Sequence, residues 1–192
     1  MPDDADSRSL SEGRSSTGGR QWPPLWLSLD ILHEAGDWSG LADRDALIES
    51  AARALASDAR FSSHTPAEVC VALSDDATVR ELNSRFRGKD KPTNVLSFPA
   101  PEGFGGEAQP ASLGDIVLAQ ETVAREAREQ GIEPAHHLQH LVVHGLLHLL
   151  EFDHETDEDA HIMESLEVEI LASLGISNPY IGEATVPLTH DQ

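Results

Sequence analysis

Cysteine is nearly absent from this chain, and positive charge is scarce. The single cysteine, Cys70, excludes an intramolecular disulfide. It sits in the apolar run Val69-Cys70-Val71-Ala72-Leu73, where a small buried hydrophobe is expected rather than a nucleophile. No stretch approaches the ~20 apolar residues of a membrane span. No apolar segment near the start has the character of a secretory signal, so a cytoplasmic location is expected. Lys and Arg number 13 against 34 Asp and Glu, a net charge of −21. As a sum, that charge argues against nucleic acid, because polyanions repel.

The distribution of the charge changes that reading. Arg80, Arg85, Arg87, Lys89 and Lys91 share one short stretch, opposed only by Glu81 and Asp90, and the two lysines are the only ones in the chain. Residues 151–169 hold nine acids and no Lys or Arg. The molecule is expected to carry one basic island on an acidic body.

With 192 residues, 39% hydrophobic and 24% charged, the chain suits one domain with loose ends. Residues 1–22 are too polar to form a core and are expected to be a disordered tail. A folded domain is expected over 23–178 and a second tail over 179–192. Alternation of apolar residues predicts a strand over 25–32, and apolar runs predict others over 68–73, 94–98 and 114–119. The third is placed at a sheet edge by Pro92 and Pro99, with a Gly- and Pro-rich loop after it.

Helices are expected over 43–55, from Asp75 or Asp76 to about Phe86, over 120–130, from Pro134, and over 157–174. In the last, Ile162, Leu166, Ile170 and Leu174 form the expected apolar stripe. The expected fold class is α+β: a mixed sheet of about four strands covered by about five helices in a single domain.

What the chain has in abundance is histidine, concentrated late. Seven of the ten lie between His136 and His161. His136, His140, His144 and His148 form a stripe of four-residue steps, and His154 follows soon after. Eight residues of helix rise about 12 Å, so three successive members of the stripe cannot share one ion whose metal–nitrogen bonds are about 2 Å.

One i, i+4 pair must be completed from elsewhere. His144 and His148 are the better pair, because the chain turns back after them and His154 can approach the same face. His136, His137 and His140 are expected to be partly exposed or hydrogen-bonded, and His161 is a weaker third ligand. Asp153 could be a ligand, a helix-end polar residue or, preferably, the group holding the far ring nitrogen of a ligand.

Three imidazoles with an open position suit zinc, although nickel, copper or iron also accept such ligands. Gly145 stands where the zinc-protease motif has its glutamate base, which counts against peptide hydrolysis.

Residues 144–154, His-Gly-Leu-Leu-His-Leu-Leu-Glu-Phe-Asp-His, resemble the pattern His-Gly-x-Leu-His-Leu-x-Gly-Tyr-Asp-His of the YbeY family. The block Leu82-Asn83-Ser84-Arg85-Phe86-Arg87-Gly88-Lys89-Asp90-Lys91-Pro92-Thr93-Asn94-Val95-Leu96-Ser97-Phe98-Pro99 resembles the family's central segment, and Leu113-Gly114-Asp115-Ile116 supplies a third match.

The resemblance implies a single-strand-specific, metal-dependent endoribonuclease acting in rRNA processing, including small-subunit 3′-end maturation, and in ribosome quality control. It implies one zinc ion per chain on His144, His148 and His154, with Arg87 as the functional arginine. RNA is then the substrate, with the ribosome or ribosomal proteins as partners and neither DNA nor membrane involved. Arg85, Lys89 and Lys91 would form the RNA-facing rim.

Two positions depart from the family pattern. Phe152 replaces Tyr, and Glu151 replaces Gly. A Glu there must take a left-handed backbone at some cost or avoid it. A solvent-facing charge is its expected role. A Glu151 that filled the fourth position would favour the alternative reading, a non-catalytic RNA-binding or ribosome-assembly factor with a structural metal.

Overall fold

The structure is a computed structural model that describes residues 26–101 and 110–180. The expected amino-terminal tail, all but two residues of the expected carboxy-terminal tail, and most of the Gly- and Pro-rich loop lie outside them.

Four strands, β1 (Leu27–His33), β2 (Ala67–Ser74), β3 (Val95–Pro99) and β4 (Ala111–Ala119), form one sheet in the order β1-β2-β4-β3. The first three neighbours run parallel, and β3 lies antiparallel to β4 at the edge. The sheet is therefore mixed. β2 is interior, and its near-continuous apolar sequence follows from burial on both faces.

Five helices cover the sheet: α1 (Arg44–Ala56), α2 (Asp76–Arg87), α3 (Gln120–Gln130), α4 (Pro134–Leu149) and α5 (Asp157–Ser173). The larger core joins α1, α4 and α5 to one face through Ile48, Leu55, Val71, Leu73, Ile116, Leu146, Leu147 and Ile170. The smaller core lies on the other face, where Val79 and Leu82 of α2 meet Leu96, Phe98 and Val117. Side-chain alternation along β3 divides it between the two: Val95 belongs to the α4 side, Leu96 and Phe98 to the α2 side.

Local chemistry sets the helix ends. Of the two candidate caps for α2, Asp75 is the one, its carboxylate accepting from the Thr78 amide at 2.8 Å. Gly88, at φ 68°, ends the same helix in the left-handed region. Thr156 caps α5, with Asp157, Glu158 and Asp159 in the first turn, where the helix dipole favours negative charge.

The apolar stripe of α5 differs from the expected one. Its buried residues are Met163, Leu166, Glu167, Ile170 and Leu171, while Ile162 is 48% exposed. Strict four-residue steps advance about 40° around a helix each time, so a long i, i+4 series drifts off the buried face at its ends.

Candidate metal centre

The carboxy-terminal half of α4 presents His144 and His148 side by side, their Nε2 atoms 3.1 Å apart. The opposite nitrogen of each ring is already engaged. Nδ1 of His144 lies 2.8 Å from Oε1 of Glu167, and Nδ1 of His148 lies 3.0 Å from the carbonyl oxygen of Phe152. Both partners are acceptors, so each neutral ring carries its proton on Nδ1. With both rings neutral, two Nε2 lone pairs face each other. That is an unfavourable pair unless a cation joins it, and the spacing is near the ~3.4 Å of two nitrogens on a tetrahedral zinc.

His154 completes the group, with its ring centroid 5.0 Å from that of His148 and 5.8 Å from that of His144. One donor atom from each of the three lies within 4.8 Å of the others. The turn after α4 brings His154 back. Glu151 adopts φ 68°, its amide bonds the His148 carbonyl at 3.1 Å, and the Phe152 amide bonds that of Leu147 at 3.0 Å. This is the paired closure that normally uses glycine.

Phe152 then packs edge-on to Phe61 at 6.1 Å, which anchors the carbonyl that orients His148. Glu151 therefore takes the left-handed backbone that favours glycine, and its side chain is exposed. Among the described residues no carboxylate joins the three imidazoles.

Gly145 answers a second need of the site. A Cβ there would meet Ile116 side-chain atoms at 3.0 and 3.1 Å and the Ser97 hydroxyl at 3.2 Å. Glycine lets α4 lie close against the sheet beside His144.

Glu167 is the residue that sequence reasoning missed. Fully buried in α5, it spans Nδ1 of His144 and Nε2 of His140, the second at 2.9 Å, and also accepts from the Tyr180 hydroxyl. Burial pushes its carboxyl up, but hydrogen bonds from His140 and His144 outweigh that and hold it at about 2. The available signal was an acid on the apolar face of an amphipathic helix. The His148 ring is held below the ordinary imidazole range, first by burial and then by the neighbouring His144 and His154.

Asp153, expected beside a ligand's far nitrogen, stands next to His154 rather than the α4 pair. Its carboxylate accepts from the His154 amide at 2.7 Å and lies 3.8 Å from Nδ1 of His154, while Glu167 and Phe152 serve the α4 pair. His137 is buried on Glu126 at 3.0 Å, and His136 and His161 are exposed and outside the cluster. Cys70 is half-buried rather than fully buried, and burial pushes its thiol up to about 11, away from the thiolate form a nucleophile needs.

The basic island lies around the end of α2. Arg80 is engaged by Asp90 at 2.7 and 2.9 Å, and buried Asn83 donates to the Lys91 carbonyl at 2.7 Å, pinning the turn. Arg85 lies over the Phe86 ring at 5.2 Å. Arg87, Lys89 and Lys91 are exposed, with no side-chain hydrogen bond or ion pair among the described residues. α2 and α4 occupy opposite faces at the β3 edge, and no such contact joins Arg87 to the histidines. The strand itself connects the two sides: the Ser97 hydroxyl donates to the Gly145 carbonyl at 3.3 Å.

A family model described as Endoribonuclease YbeY matches residues 38–175, from Trp38 through all three histidines. The chain belongs to the YbeY family. An Endoribonuclease YbeY of Chelativorans is 51% identical over 154 residues, covering 80% of this chain and 93% of the relative. That of Parvibaculum lavamentivorans is 48% identical over 175 residues, covering 87% and 88%. The solution structure of TM1509 from Thermotoga maritima is 29% identical with a TM-score of 0.50, covering 83% of this chain and 97% of that one. As a YbeY-family member the chain has a His triad able to bind a metal, and no helix among its described residues is long and apolar enough to cross a membrane.

Proposed function

We propose that this chain is a metal-dependent endoribonuclease that hydrolyses phosphodiesters in single-stranded RNA, and that residues 23–178 form the catalytic unit. The observation that carries the reading is the pair of Nε2 atoms at 3.1 Å, both tautomers set by acceptors, with a third imidazole beside them in a family of endoribonucleases. His144, His148 and His154 would hold one zinc ion. The ion would supply Lewis acidity toward the phosphodiester.

The chain's own residues do the remaining work. Glu167 and the Phe152 carbonyl keep the two α4 imidazoles in the ligating tautomer. Arg87 clamps the two non-bridging oxygens of the phosphate, where a guanidinium fork matches the geometry and stabilises charge developing on them. Arg85, Lys89 and Lys91 form a rim that holds the flanking backbone.

The substrate in the cytoplasm would be rRNA, cut during small-subunit 3′-end maturation and ribosome quality control. A chain of net charge −21 repels naked RNA away from its basic island, which favours delivery by the ribosome or ribosomal proteins. The test pairs elemental analysis with cleavage of single-stranded RNA. Wild type is expected to carry about one zinc per chain and to lose cleavage on chelation, while Arg87→Ala keeps its metal and loses cleavage. Equal cleavage by Arg87→Ala would remove the clamp. A metal-free wild type that still cleaves would remove the metal.

A further inference from the structure

Phe86 is the one aromatic among the exposed large hydrophobic side chains of the described residues, 58% exposed on the last turn of α2. A single exposed apolar residue needs no explanation in itself. Three features of its surroundings supply one here.

The ring is braced. Phe98 meets it edge-on, with centroids 5.2 Å apart and planes at 65°, and Phe98 packs into the small core beside Leu96 and Leu82. The ring is held in place while more than half of its surface stays in water. It also stands within the one cation-rich segment of an acidic chain. The Arg85 guanidinium lies 5.2 Å from its centroid, and Arg87, Lys89 and Lys91 follow within five residues.

The third feature is position. Phe98 succeeds Ser97, whose hydroxyl bonds the carbonyl of Gly145, the residue next to His144. One edge strand thus serves the histidine cluster with one side chain and braces the exposed ring with the next.

A fixed aromatic face beside backbone-binding cations is the combination that proteins use to hold unpaired nucleotides. We propose that Phe86, braced by Phe98, is a stacking platform for one unpaired base of the RNA, with Arg85, Arg87, Lys89 and Lys91 holding the adjoining phosphates. The inference rests on the endoribonuclease reading and adds a base-binding subsite to it. Duplex RNA keeps its bases stacked inside and cannot use such a face, so the platform gives the site a physical reason to select single strands. Every base has a π-face, so the subsite tolerates any sequence.

The test uses the full, zinc-loaded chain and single-stranded RNA oligonucleotides in which 2-aminopurine is moved along the sequence. Stacking on the ring quenches this base at one position. Phe86→Leu keeps an apolar contact with Phe98 but has no π-face, and Phe86→Tyr keeps the ring; the exposed position lets both fold. Phe86→Leu is expected to bind roughly tenfold more weakly and to lose the quench, with Phe86→Tyr retaining both. On RNA made abasic at the quenched position, wild type and Phe86→Leu are expected to bind alike.

The platform is overturned by finding no quenched position, by intact binding and quenching in Phe86→Leu, or by an equal loss on abasic RNA. Cleavage of the unlabelled oligonucleotide separates the two readings. Wild type that neither binds nor cuts it removes both, whereas wild type that cuts it and Phe86→Leu that binds and quenches normally removes the platform alone.

Discussion

Oε1 of Glu167 lies 2.8 Å from Nδ1 of His144, and its other oxygen lies 2.9 Å from Nε2 of His140. A buried carboxylate on α5 thus fixes the ring orientation of a candidate ligand on α4 and is itself held by a second histidine and a tyrosine. Glu167→Gln breaks this arrangement, because an amide offers one acceptor where the carboxylate offers two. Zinc affinity should fall about 10- to 100-fold, the usual effect of removing such an outer partner. Competition with a chromophoric chelator measures it, and Glu167→Asp should recover part of the loss. Unchanged affinity in Glu167→Gln would show that His144 is oriented without it.

Glu151 occupies the left-handed region at φ 68°. A side chain there costs roughly 1–2 kcal/mol relative to glycine, offset in part by the greater freedom of glycine in the unfolded chain. Glu151→Gly should therefore stabilise the protein by about 0.5–1 kcal/mol. Denaturant unfolding of the metal-free protein reads this directly. A destabilised variant would mean that the Glu151 side chain has a role its exposure does not reveal.

Gly145→Ala should act the other way, although alanine is the better helix former. The added methyl meets Ile116 at 3.0 and 3.1 Å, and Ile116 is fully buried in β4, where it has no room to retreat. Overpacking of this kind costs about 1–3 kcal/mol. The loss should appear in the melting temperature of the metal-free protein as well as the loaded one.

Glu126 accepts from Asn94 at 2.8 Å and pairs with His137 at 3.0 Å, tying α3 to the start of β3 and to α4. Burial pushes its carboxyl up, but the hydrogen bonds from His137 and Asn94 outweigh it and leave the group below the ordinary 4.5. A depressed carboxyl contributes stability that is fully present above 4.5 and is lost as pH falls through the lower folded value. Glu126→Gln should accordingly be less stable than wild type near neutral pH, with the gap closing on acidification below 4.5. Denaturant titrations at a series of pH values test the sign. A gap that widened toward acid would refute it.

The strands, the helices and the grouping of His144, His148 and His154 were legible because each rests on a local pattern. Alternation marked β1, proline at both ends marked β3 as an edge, and the Asp75 cap and Gly88 framed α2. Glu167 was not legible, since its carboxylate is 23 residues from His144 in sequence and the two meet only because α5 packs on α4. Asp153 was the acid that sequence proximity offered, and it lies beside His154, which leaves His144 to Glu167. Ile162 entered the apolar stripe by spacing, but helix rotation carries it out to solvent.

The chain's own order of residues determined that two histidines four apart sit on one helix face, that a third follows six residues on, past the helix end, and that cations gather near residue 87. Those are short-range matters of periodicity, capping and charge. Tertiary structure alone decided which acid holds which imidazole, why Gly145 must be small, and how β3 separates the basic island from the histidines while joining them. These follow from packing between segments distant in sequence, where burial and hydrogen-bond satisfaction select among partners that the sequence leaves equivalent.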